Sequence, residues 1–212
     1  MEASRKVIVV TSTPYDETLW VGGTILNNPA WKVFVICLSR AGDAEIVTKF
    51  NEALTFLTAE GTIGSPDNRP DQKPIPQDHI MKAILNLWPE QHIDIVIIPS
   101  PRSKSKRHKE IGEAMIALWR AGRISANILR IFASKDASIA SSAKPIPGNE
   151  IHNTLSESTL DKKRYLAMRI YGYKNTSVEV TNIGNSESFW SFTNPFDAEK
   201  WLNLQKNTKP GS

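Results

Sequence analysis

VIVVTSTPYDETLWVGGTI, residues Val7 to Ile25, is the stretch that decides the fold. Val7 to Val10 is a run of four β-branched apolar residues, the pattern of a strand buried on both faces. Thr11-Ser12-Thr13-Pro14 breaks the run. Asp16 and Glu17 follow, ahead of apolar Leu19, Trp20 and Ile25; acids in this position suit the unpaired amides and dipole of a helix N-terminus. The stretch therefore reads as strand, tight turn and helix. Ligands of open α/β sheets bind beyond the carboxyl ends of the strands, which puts Thr13 to Glu17 at the expected site.

Working outward, the same unit recurs. VFVICLS after Trp31-Lys32 is a second buried strand, and Ala41-Gly42-Asp43 turns into a helix from Ile46 to Ala59, with Phe50, Ala53, Leu54 and Leu57 on one face and Gly61 as its close. A short third strand is expected around Thr62-Ile63, and the Pro-, Asp- and Asn-rich residues Gly64 to Gln77 form a loop. Gln77 or Asp78 caps a helix through Ile80, Ile84, Leu87 and Trp88 that Pro89 ends. Ile93 to Pro99 is the fourth strand. Ser100 to Lys109 reads as a basic turn before a helix over Ile111 to Ala121, and Asn127 to Ala133 as a fifth strand. Strands alternating with helices predict an α/β domain with a mostly parallel sheet and right-handed crossovers. Beyond this, a helix near Leu155 to Ile170, a strand at Ser177 to Asn182 and a segment Ser186 to Phe192 are expected before a polar tail.

A chain of 212 residues holds one sizeable core, so residues 1–205 read as a single domain, with 134–148 a flexible loop or lid and 206–212 a loose tail. With 40% hydrophobic and 23% charged residues the composition is that of an ordinary globular protein. MEASRKVIVV is too short in apolar length for a signal peptide or a membrane span, and a cytoplasmic location is the expectation. The single cysteine, Cys37, lies inside a strand, which excludes disulfides and cysteine-rich metal sites. A net charge of +4 permits anionic partners without requiring them. Gly22-Gly23 lies inside the expected helix and not in the first turn, so it marks close helix packing and not a dinucleotide loop.

Thr13-Pro14-Tyr15-Asp16-Glu17 followed by Gly22-Gly23-Thr24 resembles the opening of the PIG-L/LmbE family of zinc-dependent N-acetyl-sugar deacetylases, where a strand, a His-Pro-Asp-Asp-Glu turn and a Gly-Gly-Thr helix follow one another. Lys49 and Glu52 in the second helix, Lys162, Leu166, Ala167, Tyr171 and Tyr173 late in the chain, and Glu187-Ser188-Phe189 extend the likeness from about Lys6 to about Phe192. The resemblance implies a three-layer, Rossmann-like domain. It also assigns positions: Thr13 and Asp16 stand where zinc ligands are expected and Tyr15 where the general base is expected. The family's His-x-Asp-His motif falls on Ser105-Lys106-Arg107-His108. His108 then matches a ligand, while Ser105 and Arg107 replace groups that assist the transition state.

Only Asp16 and His108 are retained. A hydroxyl at Thr13 is a poor substitute for imidazole on zinc, and Tyr15, with an ordinary pKa of about 10, is a poor base at neutral pH. The resemblance thus implies a deacetylase homologue with impaired or no catalysis, holding zinc weakly or not at all. Its crevice would take a sugar or an anion. An active metal-dependent N-acetyl-sugar deacetylase is the alternative. Arg102, Lys104, Lys106, Arg107 and Lys109 form a basic run ahead of a helix N-terminus, which suits a phosphate, a sulfate or a phosphorylated sugar. A nucleic-acid module is a further alternative, disfavoured because no aromatics interleave the run. His79 and His92 are placed away from the strand ends that matter, whereas His152 follows the 134–148 segment and could approach the site.

Overall fold

In the computed structural model, which describes residues 4–65, 74–89, 92–132 and 148–204, β1 (Lys6–Thr11) runs through the middle of a seven-stranded sheet of order β3-β2-β1-β4-β5-β7-β6. β2 (Lys32–Cys37), β3 (Glu60–Ile63), β4 (Ile93–Pro99) and β5 (Ala126–Phe132) are parallel to β1. β7 (Ser186–Phe192) and β6 (Asn149–Thr154) complete the sheet antiparallel. This is the mostly parallel, LmbE-like α/β fold that the sequence predicts.

The strand period of two sorts the apolar residues into two layers. Ile8 and Val10 face one layer with α3 (Gln77–Leu87), α4 (Lys106–Arg120) and α7 (Pro195–Asn203). Val7 and Val9 face the other, which holds α1 (Gly22–Leu26), α2 (Ala44–Phe56) and α5 (Glu157–Tyr165). Two helices carry wide π-type turns: Glu17–Val21 leads into α1, and Leu166–Ile170 continues α5. No helix of the described residues is long and apolar enough to cross a membrane.

Several expectations are corrected. Asp16 and Glu17 do stand at the start of the first helix, but their side chains bond within the turn and not to a helix amide. Gly61 does not close α2; Thr58, at φ 53°, takes the left-handed position, and Gly61 enters β3, where a Cβ would lie 2.5 Å from the Val35 carbonyl oxygen. The basic segment is not one turn, for α4 begins at Lys106 with Ser105 as its cap. Ser177 to Asn182 is not a strand: Ser177 caps a short helix, α6 (Val178–Thr181), by accepting from the Val180 amide. β6 and α7 were not anticipated, and Trp201 of α7 is buried under the sheet. The tail 206–212 and residues 134–147 of the expected lid lie outside the described residues.

Candidate functional site

The order of the sheet reverses between β1 and β4, because β2 and β3 extend to one side and β5 to the other. A crevice at such a switch point is where open α/β sheets bind ligands. The two segments that open there are Ser12 to Asp16, after β1, and Ser100 to His108, after β4.

Asp16 and His108 meet at this switch point. Asp16 Oδ2 accepts the Ser12 amide at 3.0 Å, the Ser12 hydroxyl at 2.8 Å and the Thr13 amide at 3.0 Å, and it lies 3.1 Å from His108 Nε2. Both side chains are buried, each residue 7% exposed. Burial opposes ionisation of Asp16 and is the largest single influence. The bonds and charge of His108, with the Ser12 and Thr13 donors, outweigh it and hold the carboxyl below its usual range. An ionised Asp16 only accepts, so Nε2 carries the proton of this bond. Ser105 fixes the imidazole from behind by accepting the His108 amide at 3.4 Å as the cap of α4. The edge of the ring meets Phe132, 5.7 Å between centroids, and Trp20 stacks on Phe132 at 6.1 Å. His108 Nδ1 and Trp20 Nε1 are buried and have no hydrogen-bond partner among the described residues. Such orphaned atoms mark places where water or a ligand supplies the missing bond.

Tyr15 does not stand open to a substrate. Its backbone is left-handed, φ 91°, a conformation that side chains with a Cβ rarely adopt. The ring packs between Tyr171 and Tyr173, 5.2 and 4.8 Å away, and its hydroxyl donates to the Glu179 carbonyl oxygen at 3.0 Å. Burial, with Tyr173, Glu179 and Glu17 nearby, raises the phenol pKa far above its ordinary value, so the group stays protonated. Thr13 is exposed and reaches the pair through its main chain.

Glu17, which the sequence places at the helix start and within the expected site but gives no role, is fully buried beside this loop. Its carboxyl accepts the Tyr171 hydroxyl at 2.6 Å, the Thr18 hydroxyl at 2.9 Å and the Tyr15 amide at 2.9 Å. Burial pushes its pKa up to about 7 against the lowering effect of the Tyr171 and Thr18 bonds. The signal was present in the spacing: Glu17, Val21 and Ile25 fall four apart, on the inward face of one helical ribbon. Lys163, not Lys162, proves to be the inward lysine of α5. It donates to Glu187 at 2.6 Å and to the Leu19 carbonyl oxygen at 2.8 Å, while Glu187 also accepts the Gly23 and Thr24 amides and the Thr24 hydroxyl. A buried ion pair thus fastens the first helix to β7.

The basic residues disperse. Arg102 lies 3.6 Å over the Trp201 ring and donates to the Trp201 carbonyl oxygen, and burial lowers its pKa to about 10. Arg107 pairs with Glu110 at 3.0 Å. Lys104, Lys106 and Lys109 are exposed. The other histidines lie elsewhere: His79 beside Asp78, His92 against Ser125, and His152 on β6 between Ser188 and Glu150, at 2.7 and 3.0 Å.

A zinc ion does not fit the donors present. A structural or catalytic zinc takes three or four nitrogen, sulfur or carboxylate donors. Among the described residues no group of three His, Cys, Asp or Glu comes together, and Asp16 Oδ2 already serves four donors.

No family model matches the sequence, and no curated protein does. Solved structures do match the fold. One is the zinc-inhibited form of teicoplanin deacetylase Orf2, with TM-score 0.66, 10% identity, and coverage of 88% of this chain and 97% of that one. Another is N,N′-diacetylchitobiose deacetylase from Pyrococcus horikoshii, with TM-score 0.58, 14% identity, and coverage of 89% and 84%. A third is GalB, the 4-carboxy-2-hydroxymuconate hydratase from Pseudomonas putida KT2440, with TM-score 0.53, 16% identity, and coverage of 88% and 95%. The fold therefore resembles that of deacetylases of N-acetyl sugars. Because the same fold also carries a hydratase, it does not fix the reaction.

Proposed function

We propose that this chain is a deacetylase-fold protein without deacetylase chemistry, a binding protein that keeps the crevice between β1 and β4 for a sugar-like ligand. The observation that carries this reading is the direct bond between His108 Nε2 and Asp16 Oδ2, 3.1 Å long and closed by the Ser12 and Thr13 donors. Asp16 Oδ2, the oxygen that would offer lone pairs to a metal, instead accepts from His108 Nε2 and from the Ser12 and Thr13 donors of the turn. Tyr15 adds to it, since a buried, protonated phenol bonded to the Glu179 carbonyl oxygen does not take a proton from water. What the crevice retains is a pair of orphaned polar atoms, Trp20 Nε1 and His108 Nδ1, with the Phe132 ring between their side chains. Both are polar atoms without a protein partner among the described residues, and sugar hydroxyls, which donate as well as accept, complement them.

Elemental analysis of tag-free protein, loaded with zinc and desalted, tests the reading alongside turnover of N-acetylglucosamine conjugates. The expected result is substoichiometric zinc and no acetate release. Retained stoichiometric zinc with turnover that Asp16→Ala abolishes would establish the active hydrolase in its place. The basic-segment readings, a phosphate or nucleic-acid site, gain less support, because Arg102 and Arg107 are engaged with Trp201 and Glu110.

A further inference from the structure

Arg130 is an unusual residue for the middle of a sheet. It belongs to β5, between Ile97 of β4 and Ser191 of β7, and shares a face with Ile128 and Phe132 toward the α1 and α2 layer. It is half-buried, its Nε is buried with no hydrogen-bond partner, and no ion pair of the described residues includes it. Burial and the charge of Arg5 both lower its pKa. A half-buried guanidinium with no paired carboxylate is unfavourable, since buried charge is tolerated where it is paired. Among the described residues its ring contact is Trp31, whose centroid lies 5.9 Å from Cζ, near the outer limit of a cation–π interaction.

Trp31 also lines a cavity of about 650 Å³ at the amino ends of β1, β2 and β4, the end of the sheet opposite Asp16 and His108. Lys6, Lys32, Phe34 and Glu60 line it as well. Arg5 is held at its rim, because the Lys32 amide donates to the Arg5 carbonyl oxygen at 2.8 Å and Lys6 is the next residue. The place thus combines an aromatic wall, Trp31 and Phe34, with Lys6, Lys32 and Glu60 on its lining, the Arg130 guanidinium beside Trp31, and Asp94, whose Oδ2 accepts the Lys6 amide at 2.8 Å.

We propose that Arg130, beside the Trp31 indole, is the head-group end of a binding site for a small organic oxyanion, a carboxylate or a phosphate ester, whose flat apolar body lies against Trp31 and extends into the cavity. A planar guanidinium matches both head groups in two-point hydrogen bonding, and an aromatic body adds stacking and the burial of apolar area. The ligand supplies the counter-charge that Arg130 lacks.

Isothermal titration of the full chain with benzoate, phenyl phosphate and inorganic phosphate tests the site, with Arg130→Met and Arg107→Glu compared. The expected result is binding of benzoate or phenyl phosphate more tightly than inorganic phosphate, and which of the two wins identifies the head group. Arg130→Met should lose affinity by at least about tenfold. Arg107→Glu should bind as the parent does, which separates this site from any anion held near α4. Without ligand, Arg130→Met should melt at the same temperature or higher, because an unpaired charge has been removed. The proposal is overturned if no probe binds up to about 10 mM, if Arg130→Met binds unchanged, if inorganic phosphate binds as well as phenyl phosphate, or if ligand-free Arg130→Met melts lower. None of these results bears on the crevice between β1 and β4.

Discussion

His108 Nε2 lies 3.1 Å from Asp16 Oδ2, so the first turn of α4 is tied to the loop after β1 across the switch point of the sheet. The tie acts as structure as well as site. Asp16→Ala removes the acceptor for the Ser12 and Thr13 amides and leaves His108 Nε2 unbonded, and His108→Ala leaves a buried carboxylate with fewer donors. Each single variant should lose about 2 to 4 kcal/mol in urea unfolding, and the double variant should lose less than the sum by about 1 to 3 kcal/mol. Additive losses would mean that the bond does not contribute to stability.

Glu17 gives the protein a pH dependence of known sign. Its folded pKa, about 7, is above the ordinary 4.5, so between those values the folded state binds more protons than the unfolded one. Stability should therefore fall as pH rises from about 4.5 to about 7 and level off above, by about 3 kcal/mol in all. Asp16 works in the opposite sense: its lowered pKa contributes stability above the ordinary carboxylate pKa that is lost as pH falls through the folded value. Thermal melts of Glu17→Gln across pH 5 to 8 check the point, and the decline should be absent in that variant.

Three of the five parallel strands were legible because each is a mainly apolar run rich in β-branched residues, VIVV, VFVIC and IDIVIIP, and such runs have few alternatives. The carboxyl-end position of Asp16 and His108 followed from the same units. What escaped was whatever tertiary contact decides. β6, NEIHNT, is polar because it is an edge strand with one neighbour, and nothing in its pattern separates it from loop. Ser177 to Thr181 alternates like a strand, yet the Ser177 hydroxyl caps a helical turn. Arg102 belongs to a basic run in one dimension, and only the position of α7 puts Trp201 under it. Glu17 was legible in spacing, but its neighbour Tyr171 lies 154 residues away.

Gly23 packs the first helix tightly against Leu155 and Glu187 of the second half of the chain. A Cβ there would lie 2.6 Å from Leu155 Cδ1 and Cδ2 and 3.1 Å from Glu187 Oε1, and the Gly23 amide is already bonded to that oxygen. Gly23→Ala should destabilise by about 1 to 3 kcal/mol, since Leu155 must leave its place. Leu155→Ala opens the space the new methyl needs, so the double variant should be more stable than the summed losses by about 1 kcal/mol or more. Equilibrium unfolding of the three variants measures the difference, and a double variant at the sum would show that the methyl is accommodated elsewhere.

Lys163 and Glu187, 2.6 Å apart and almost wholly buried, should not be equivalent partners. Glu187 has three donors besides Lys163: the Gly23 amide at 2.8 Å, the Thr24 amide at 2.7 Å and the Thr24 hydroxyl at 2.6 Å. Among the described residues Lys163 has only the Leu19 carbonyl oxygen besides Glu187. Lys163→Met therefore leaves a carboxylate still held by three hydrogen bonds, at a cost of about 2 to 3 kcal/mol. Glu187→Leu strands an ammonium and two main-chain amides in an apolar layer, and should cost about 4 to 5 kcal/mol or prevent folding. Adding Lys163→Met to Glu187→Leu removes the stranded charge and should restore part of that loss, leaving the two amides as the remainder. Urea midpoints should therefore rank Lys163→Met above the double variant and the double variant above Glu187→Leu. If Glu187→Leu proves the milder change, the pair is held for Lys163 and the amide contacts to the first helix contribute little.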